Sequence, residues 1–141
     1  QTPEMLVKDL KFIEKLSPEM CGIGPFVPHK DTKFKNENHG DVSLVLMLLS
    51  IIRLLKPNIL LPATTALGTV DPLGREKGIL HGANVVMPNL SPVKHRKDYS
   101  LYDNKICTGD EAAQCIGCLA DRMKKIGCEI VTDRGDYKAD I

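Results

Sequence analysis

Apolar residues recur along this chain in two rhythms, a helical period and short continuous runs, and their order predicts the fold. Thr2-Pro3-Glu4 supplies a cap, a proline at the first helical position and an acidic first turn. Leu6, Leu10, Ile13 and Leu16 then repeat at helical spacing as a stripe expected to be buried, and Ser17-Pro18 ends the helix. Met20-Cys21-Gly22-Ile23-Gly24-Pro25-Phe26 reads as a strand whose glycines remove side chains where another backbone or a flat ligand comes close. Strand glycines equally mark bulges, so packing and ligand contact stand level here. Residues 27–40 form a long polar loop; its His29 and His39 have no acidic or cysteine partner at ligand spacing and read as surface residues. Asp41 caps a nearly all-apolar helix from Val42 to Leu55, stopped by Lys56-Pro57. A membrane crossing needs about 20 apolar residues, and this run is shorter and carries Arg53, so it reads as a helix packed on several sides.

The stretch from Asn58 to Asn89 organises the rest. Asn58-Ile59-Leu60-Leu61 is a buried strand that breaks into the polar turn Pro62-Ala63-Thr64-Thr65. Asp71 before Pro72 predicts a helix start, and Gly82 after His81 predicts its left-handed stop. Ala83-Asn84-Val85-Val86-Met87 is a further strand ending in Pro88-Asn89. Strand, helix and strand in so short a span imply a parallel unit with a right-handed crossover. The pattern so far is three strands, each preceded by a helix, which suits part of a βα barrel or an open doubly wound sheet. In either, ligands bind beyond the carboxyl ends of the strands, which draws attention to Thr64, Thr65 and Asn89.

Beyond Asn89 the rhythm changes. Ser91-Pro92 opens a basic turn or short helix with Lys94, His95, Arg96 and Lys97, read as a solvated face, followed by Tyr99 and Tyr102. A helix is expected over about 110–126, with Thr108 and Glu111 spaced as a capping box and Gly127 as its stop, and Glu129-Ile130-Val131 could add a short strand. The organisation is thus residues 1–104 as one unit and 105–141 as a cysteine-bearing helical tail.

Composition narrows the function. The 141 residues fit one domain but fall short of a complete eight-fold barrel, which takes about 250. A net charge of +1, no tryptophan and few aromatics argue against nucleic-acid binding. Five cysteines, an odd number, suit thiols in a reducing cytoplasm better than a secreted disulfide framework. The chain opens on Gln1 directly into a helix start, as though cut from something longer. Cys107, Cys115 and Cys118 have the spacing C-x7-C-x2-C, the last two one helical turn apart and the first just outside the helix, where the dipole favours thiolate. Metal or cluster binding is one reading, and small buried hydrophobes the other. With Cys128 the set could hold zinc; without it, an iron–sulfur cluster is more natural.

Taken together, Met20 through His29, Pro62 through Thr69, Gly74-Arg75-Glu76, Gly82 through Asn89 and Tyr99 through Cys107 closely resemble the radical S-adenosylmethionine maturases of FeFe-hydrogenase. The likeness covers essentially the whole chain, and a weaker one extends to biotin synthase and methylornithine synthase relatives. It implies an α/β fold, part of a (βα) TIM-type barrel with about three parallel strands and their helices, forming its C-terminal portion, in a cytoplasmic enzyme. The family's C-x3-C-x2-C motif, which holds the four-iron four-sulfur cluster that reduces S-adenosylmethionine to a 5′-deoxyadenosyl radical, is absent from these residues. The resemblance therefore implies that this stretch alone is inactive and that the N-terminal half is its first partner. It places Met20 near the cofactor's adenosine, and Thr64, Thr65, Tyr99 and Tyr102 around a chamber for a small-molecule or iron-complex substrate or an anion. Cys107, Cys115 and Cys118 match the accessory cluster site (2Fe-2S or 4Fe-4S) of some members. Other hydrogenase maturation proteins are further implied partners, nucleic acid and membrane are not, and incomplete sheet edges imply self-association. The alternatives are a related synthase or a stand-alone iron–sulfur or metal-binding module.

Overall fold

The computed structural model describes residues 1–107, 112–131 and 133–138. Thr108 and Glu111, the expected capping box, lie outside the described residues. Helix α1, Pro3–Leu16, starts where Thr2 accepts the amide of Met5 and ends at Ser17 in the left-handed region. Its stripe is shallower than expected. Leu10 and Ile13 pack against the core, but no residue of α1 is fully buried and Leu16 is 58% exposed, because a groove of about 590 Å³ separates α1 from the next helix along much of their length.

Helix α2, Val42–Leu55, is capped by Asp41, which accepts the amide of Ser43. Val45, Leu46, Leu49 and Ile52 are buried, while Met47 and Leu54 on the opposite side are exposed. The expected packing on several sides thus reduces to one face. Among the described residues no helix is long and apolar enough to cross a membrane.

The sheet is short and parallel. Strand β1, Pro62–Ala63, pairs with β2, Val85–Val86, in the register Pro62 to Val85 and Ala63 to Val86. Ahead of β1, a parallel bridge joins Met20 to Leu60, with the amide of Cys21 donating to the carbonyl of Leu60 and that of Leu60 to Glu19. Three extended segments therefore run side by side with the segment through Leu60 in the middle, as the helix-strand repeat predicted. At the junction of the segments through Leu60 and Asn84, a side chain substitutes for backbone: Asn84 Oδ1 accepts the amide of Leu61 at 2.8 Å, while Leu61's carbonyl accepts the amides of Asn84 and Val85.

Two helices connect β1 to β2 where one was expected. Thr64 caps α3, Thr65–Val70, by accepting the amide of Leu67. Asp71 ends that helix instead of starting the next, although its Oδ1 still accepts the amide of Leu73 in the turn that leads into α4, Gly74–Leu80. Six residues of helix are too few to show a 3.6 period in sequence, so Thr64-Thr65 read as turn hydroxyls. Gly82, at φ 106°, makes the return to β2, and a methyl there would lie 2.8 Å from Arg53 Cβ. The core is one cluster built from α2, the segment from Ile59 to Ala63, Leu67 and Ala83.

After β2, a 3-10 helix, Val93–Tyr99, leads to helix α5, Ala112–Lys125. Cys115, Leu119 and Met123, at four-residue intervals, are its buried stripe. The strand expected at residues 129–131 does not form; that segment is irregular.

Candidate functional site

The chain's chemistry gathers where β1 and β2 end. Thr65 follows β1 and Asn89 follows β2, and both line a cavity of about 190 Å³ with Arg75, Met87, Lys105 and Cys107. A parallel pair forces this convergence, since both strands release their chains at the same edge. Thr64 sits beside it with its hydroxyl committed to the cap of α3. A side chain at Gly24 would collide with that hydroxyl, its Cβ falling 2.7 Å from Thr64 Oγ1. Of the two strand glycines, Gly24 therefore serves a close approach, and Gly22 faces open space.

The segment through Cys107 is anchored to α3 and α4 by side chains. Thr69 donates to the carbonyl of Thr65 at 3.0 Å and accepts the amide of Ile106 at 3.4 Å. Tyr102 is half-buried; burial pushes its phenol pKa up, against the opposing pull of the Thr69 hydroxyl and the Arg75 charge. Cys107 itself has a left-handed backbone, φ 60°. Its carbonyl accepts from Asn89 Nδ2 at 2.9 Å and Arg96 Nη1 at 3.2 Å, and its sulfur from Arg75 Nη2 at 3.4 Å.

Lys94 and His95 are exposed, as expected of a solvated basic face, but Arg96 departs from it. It is 3% exposed, and its guanidinium also donates to the carbonyls of Ser91 at 2.8 Å and Asn89 at 3.2 Å. A planar fork of five donors satisfies several carbonyls at once, which makes arginine the basic residue suited to burial among backbone.

Helix α5 carries Cys115 to this edge. Its thiol accepts the amide of Asn89 at 3.4 Å. Burial pushes the Cys115 thiol pKa up, and the Cys107 sulfur adds to that, against the Asn89 amide and the Arg75 charge. The helix is fastened by Arg122, which donates to both carboxylate oxygens of Glu76, at 2.6 Å for Oε2, and to the carbonyl of Pro72. Burial alone would raise the Glu76 pKa; the bonds from Arg122 and its backbone and the charges of Arg122 and Arg75 reverse this, holding the carboxyl below its ordinary value.

The structure therefore brings Thr65 and Cys107 to one cavity, with Cys115 tied to its edge through the Asn89 amide and Tyr102 half-buried. It leaves three named residues apart. Cys118 is exposed one turn along α5, Tyr99 is 60% exposed against a separate shallow surface, and Met20 is 49% exposed at its bridge. Among the described residues, no three histidine, cysteine, aspartate or glutamate side chains are grouped closely enough to hold a metal ion. Sequence reasoning gave no role to Arg75, Glu76, Arg96 or Arg122. Gly74-Arg75-Glu76 stood out only as part of a family likeness, and Arg122 carried no signal.

A half-open parallel sheet with thiols and arginines at its carboxyl edge is the frame on which the comparisons fall, and the relatives are a maturase and a synthase. No family model matches the chain. The chain is 43% identical over 138 residues, 98% of its length, to the FeFe hydrogenase maturase subunit HydE of Thermotoga maritima, of which it covers 40%. It is 25% identical over 130 residues, 89% of its length, to the 3-methylornithine synthase of Methanosarcina acetivorans, of which it covers 35%. The likeness to hydrogenase maturases read from the sequence is thus present nearly end to end. The chain spans two fifths or less of the length of these curated relatives.

Proposed function

We propose that this chain is the C-terminal portion of a radical S-adenosylmethionine enzyme acting in assembly of the FeFe-hydrogenase active site, where it forms the substrate-side wall of a βα barrel. The observation that carries this reading is the 43% identity to HydE across 98% of the chain. The three parallel segments and the cavity at their carboxyl edge support it.

The residues divide between two implied groups. The cluster that serves S-adenosylmethionine does not fit here, because the C-x3-C-x2-C motif is missing from these residues. When bound in the complete parent, that group supplies one-electron reduction of the cofactor. For an accessory iron–sulfur cluster the donor set at the other end is only partly gathered, because Cys118 stands exposed and apart from Cys107 and Cys115. Cys107 and Cys115 lie under N–H donors from Arg75 and Asn89, the kind of outer bonding that orients thiolate ligands, and Cys118 follows one helical turn on. In this reading Cys107, Cys115 and Cys118 would hold the accessory cluster. Met20 contributes to the adenosine side, and Thr64, Thr65, Tyr99 and Tyr102 line the chamber for a small-molecule or iron-complex substrate. The chain's own part is to position that substrate with hydroxyl and amide groups and to keep water from it.

The test has two arms. Joined to its upstream sequence, the protein is expected to release 5′-deoxyadenosine from S-adenosylmethionine under reducing, anaerobic conditions, and the 141-residue chain alone to release none. Release by the chain alone, or none by the longer protein, refutes the reading. For the thiols, single Cys→Ser variants are reconstituted with iron and sulfide and read by visible absorption and iron content. Cys118→Ser should lose the chromophore and Cys128→Ser keep it; the reverse moves the site to the tail.

A further inference from the structure

The first extended segment leaves the sheet at Phe26 and the chain returns at Gly40, so residues 27–39 overhang the same carboxyl edge as Thr65 and Asn89. This loop is closed on itself. Its neck is the bond from the Gly40 amide to the Phe26 carbonyl at 2.8 Å, drawn so tight that a Cβ on Gly40 would fall 2.7 Å from the Phe26 nitrogen. Inside it, the amides of Thr32, Lys35 and Glu37 donate to the carbonyls of His29, Thr32 and Phe34, and Phe34 packs edge-on against Phe26 with ring centroids 6.0 Å apart. Every residue from Lys30 to His39 is exposed, so the loop is not anchored by packing on the core. Beyond the neck, two hydrogen bonds join it to the rest of the described residues, and Asp103 makes both. Asp103 Oδ2 accepts the Lys30 amide at 2.8 Å, and the Asp103 amide donates to the Pro28 carbonyl at 3.1 Å. Between the loop, the end of α3 and the Asp103 turn lies a cavity of about 340 Å³, with Pro28, His39, Thr69, Val70 and Asp103 in its wall.

We propose that residues 27–39 are a hinged lid over this cavity and that Asp103 is its latch. A compact loop with its ends together and its own internal turns swings about its neck as one piece. Segments held by a few exposed backbone bonds open at far lower free energy than a packed core, which is where lids are drawn from. The latch is decided by one side chain, because a carboxylate accepting a backbone N–H makes a stronger bond than a neutral acceptor does. Asp103 also directly follows Tyr102, and at the other end of that segment Thr69 holds the Ile106 amide at 3.4 Å. The stretch from Tyr102 to Ile106 is therefore pinned at one end by α3 and at the other by the loop, so opening the lid frees the Tyr102 end. Lid position and tyrosine position are then one variable at the edge where parallel segments take their ligands. The inference stands on the bonds of the loop and holds whether or not the chain is part of a radical enzyme.

The experiment compares native-state amide exchange in the 141-residue chain with that of its Asp103→Ala and Asp103→Asn variants. In Asp103→Ala the Lys30 amide should exchange about tenfold faster or more, as loss of a hydrogen bond to a charged acceptor implies. The amide of residue 103, whose own donor the substitution leaves intact, should accelerate with it. The amides of Thr32, Lys35 and Glu37 inside the loop, and those of Leu49 and Ile52 in α2, should keep the parent rates. Asp103→Asn retains an oxygen acceptor and should stay near the parent throughout. Tyrosine emission, unmasked because the chain has no tryptophan, supplies the second measurement: with Tyr99→Phe and Tyr137→Phe in place, Tyr102 should be quenched more readily by acrylamide when Asp103→Ala is added. An unchanged amide at residue 103, equal acceleration inside the loop or in α2, an Asp103→Asn variant that behaves as Asp103→Ala, or unaltered Tyr102 quenching would each overturn the proposal. Failure of the maturase reading registers separately, in 5′-deoxyadenosine release by the longer protein, and leaves these rates untouched.

Discussion

Replacing Arg122 with methionine keeps most of the side chain's length and removes the charge that fastens α5 to α4. In the parent, Arg122 bonds both oxygens of a Glu76 that is 7% exposed, and its own side chain is 21% exposed. Removing one member of a buried pair leaves the other charge desolvated and costs about 3–5 kcal/mol. The nearby Arg75 charge and the partial exposure of Arg122 put the expected loss at the low end, about 3 kcal/mol. With a urea slope of about 2 kcal/mol/M, the midpoint should fall by about 1.5 M. Adding Glu76→Gln should restore half or more of the loss, because the uncompensated charge disappears. The pH dependence has a definite sign. Glu76 has its folded pKa below the ordinary carboxylate value, so its stabilisation is complete above that range and is lost as pH falls through the folded pKa. Without Arg122 the bond and charge that most oppose burial are gone and that pKa should move up from its parent value, so the gap between parent and variant should narrow from pH 7 toward pH 3. A loss under about 1 kcal/mol, the level of a surface pair, or a gap indifferent to pH would refute the argument.

Three further outcomes follow from other parts of the fold. Gly82→Ala should cost about 1–3 kcal/mol in urea unfolding, since it combines a left-handed backbone with a Cβ 2.8 Å from Arg53 Cβ; an unchanged midpoint would show that the turn relaxes freely. Asn84→Ala should cost about 1–3 kcal/mol by leaving the fully buried Leu61 without the acceptor for its amide, and amide exchange at Leu61 should accelerate. The chain by itself should self-associate through the open edges of its short sheet, read as a concentration-dependent sedimentation coefficient; a monodisperse monomer at every concentration would count against it.

Much of the framework was legible because its signals are local. Thr2 and Asp41 cap the helices that their sequence position announced, and the parallel order of the segments through Met20, Leu60 and Val85 followed from helices alternating with apolar runs. The rule that parallel strands deliver their ligand groups at one edge was enough to point to Thr65 and Asn89, which do share a cavity. The arginines were harder to read. Arg96 sits in a run of basic residues, and its partners are backbone carbonyls, which leave no mark in a sequence. Glu76 and Arg122 are 46 residues apart, with nothing in either neighbourhood to indicate the other. Asp71 misled for a different reason: an aspartate before proline caps a turn as readily as a helix, and here the helix had already begun at Thr65.

The layout of the core bears on the order in which the molecule assembles. Its buried residues run from Val45 to Ala83, so most of the apolar area is gathered from one contiguous stretch with short loops to close. Helix α5 joins much later in sequence, and its charged attachment through Arg122 reaches back 46 residues to Glu76. Short loops close at lower entropic cost than long ones, so the central stretch should collapse first and α5 dock onto a surface already formed. In native-state hydrogen exchange, α5 would then open as a separate unit, at lower free energy than α2. The thiol edge would come apart with it, so access to Cys115 would be set by how often that one helix lifts.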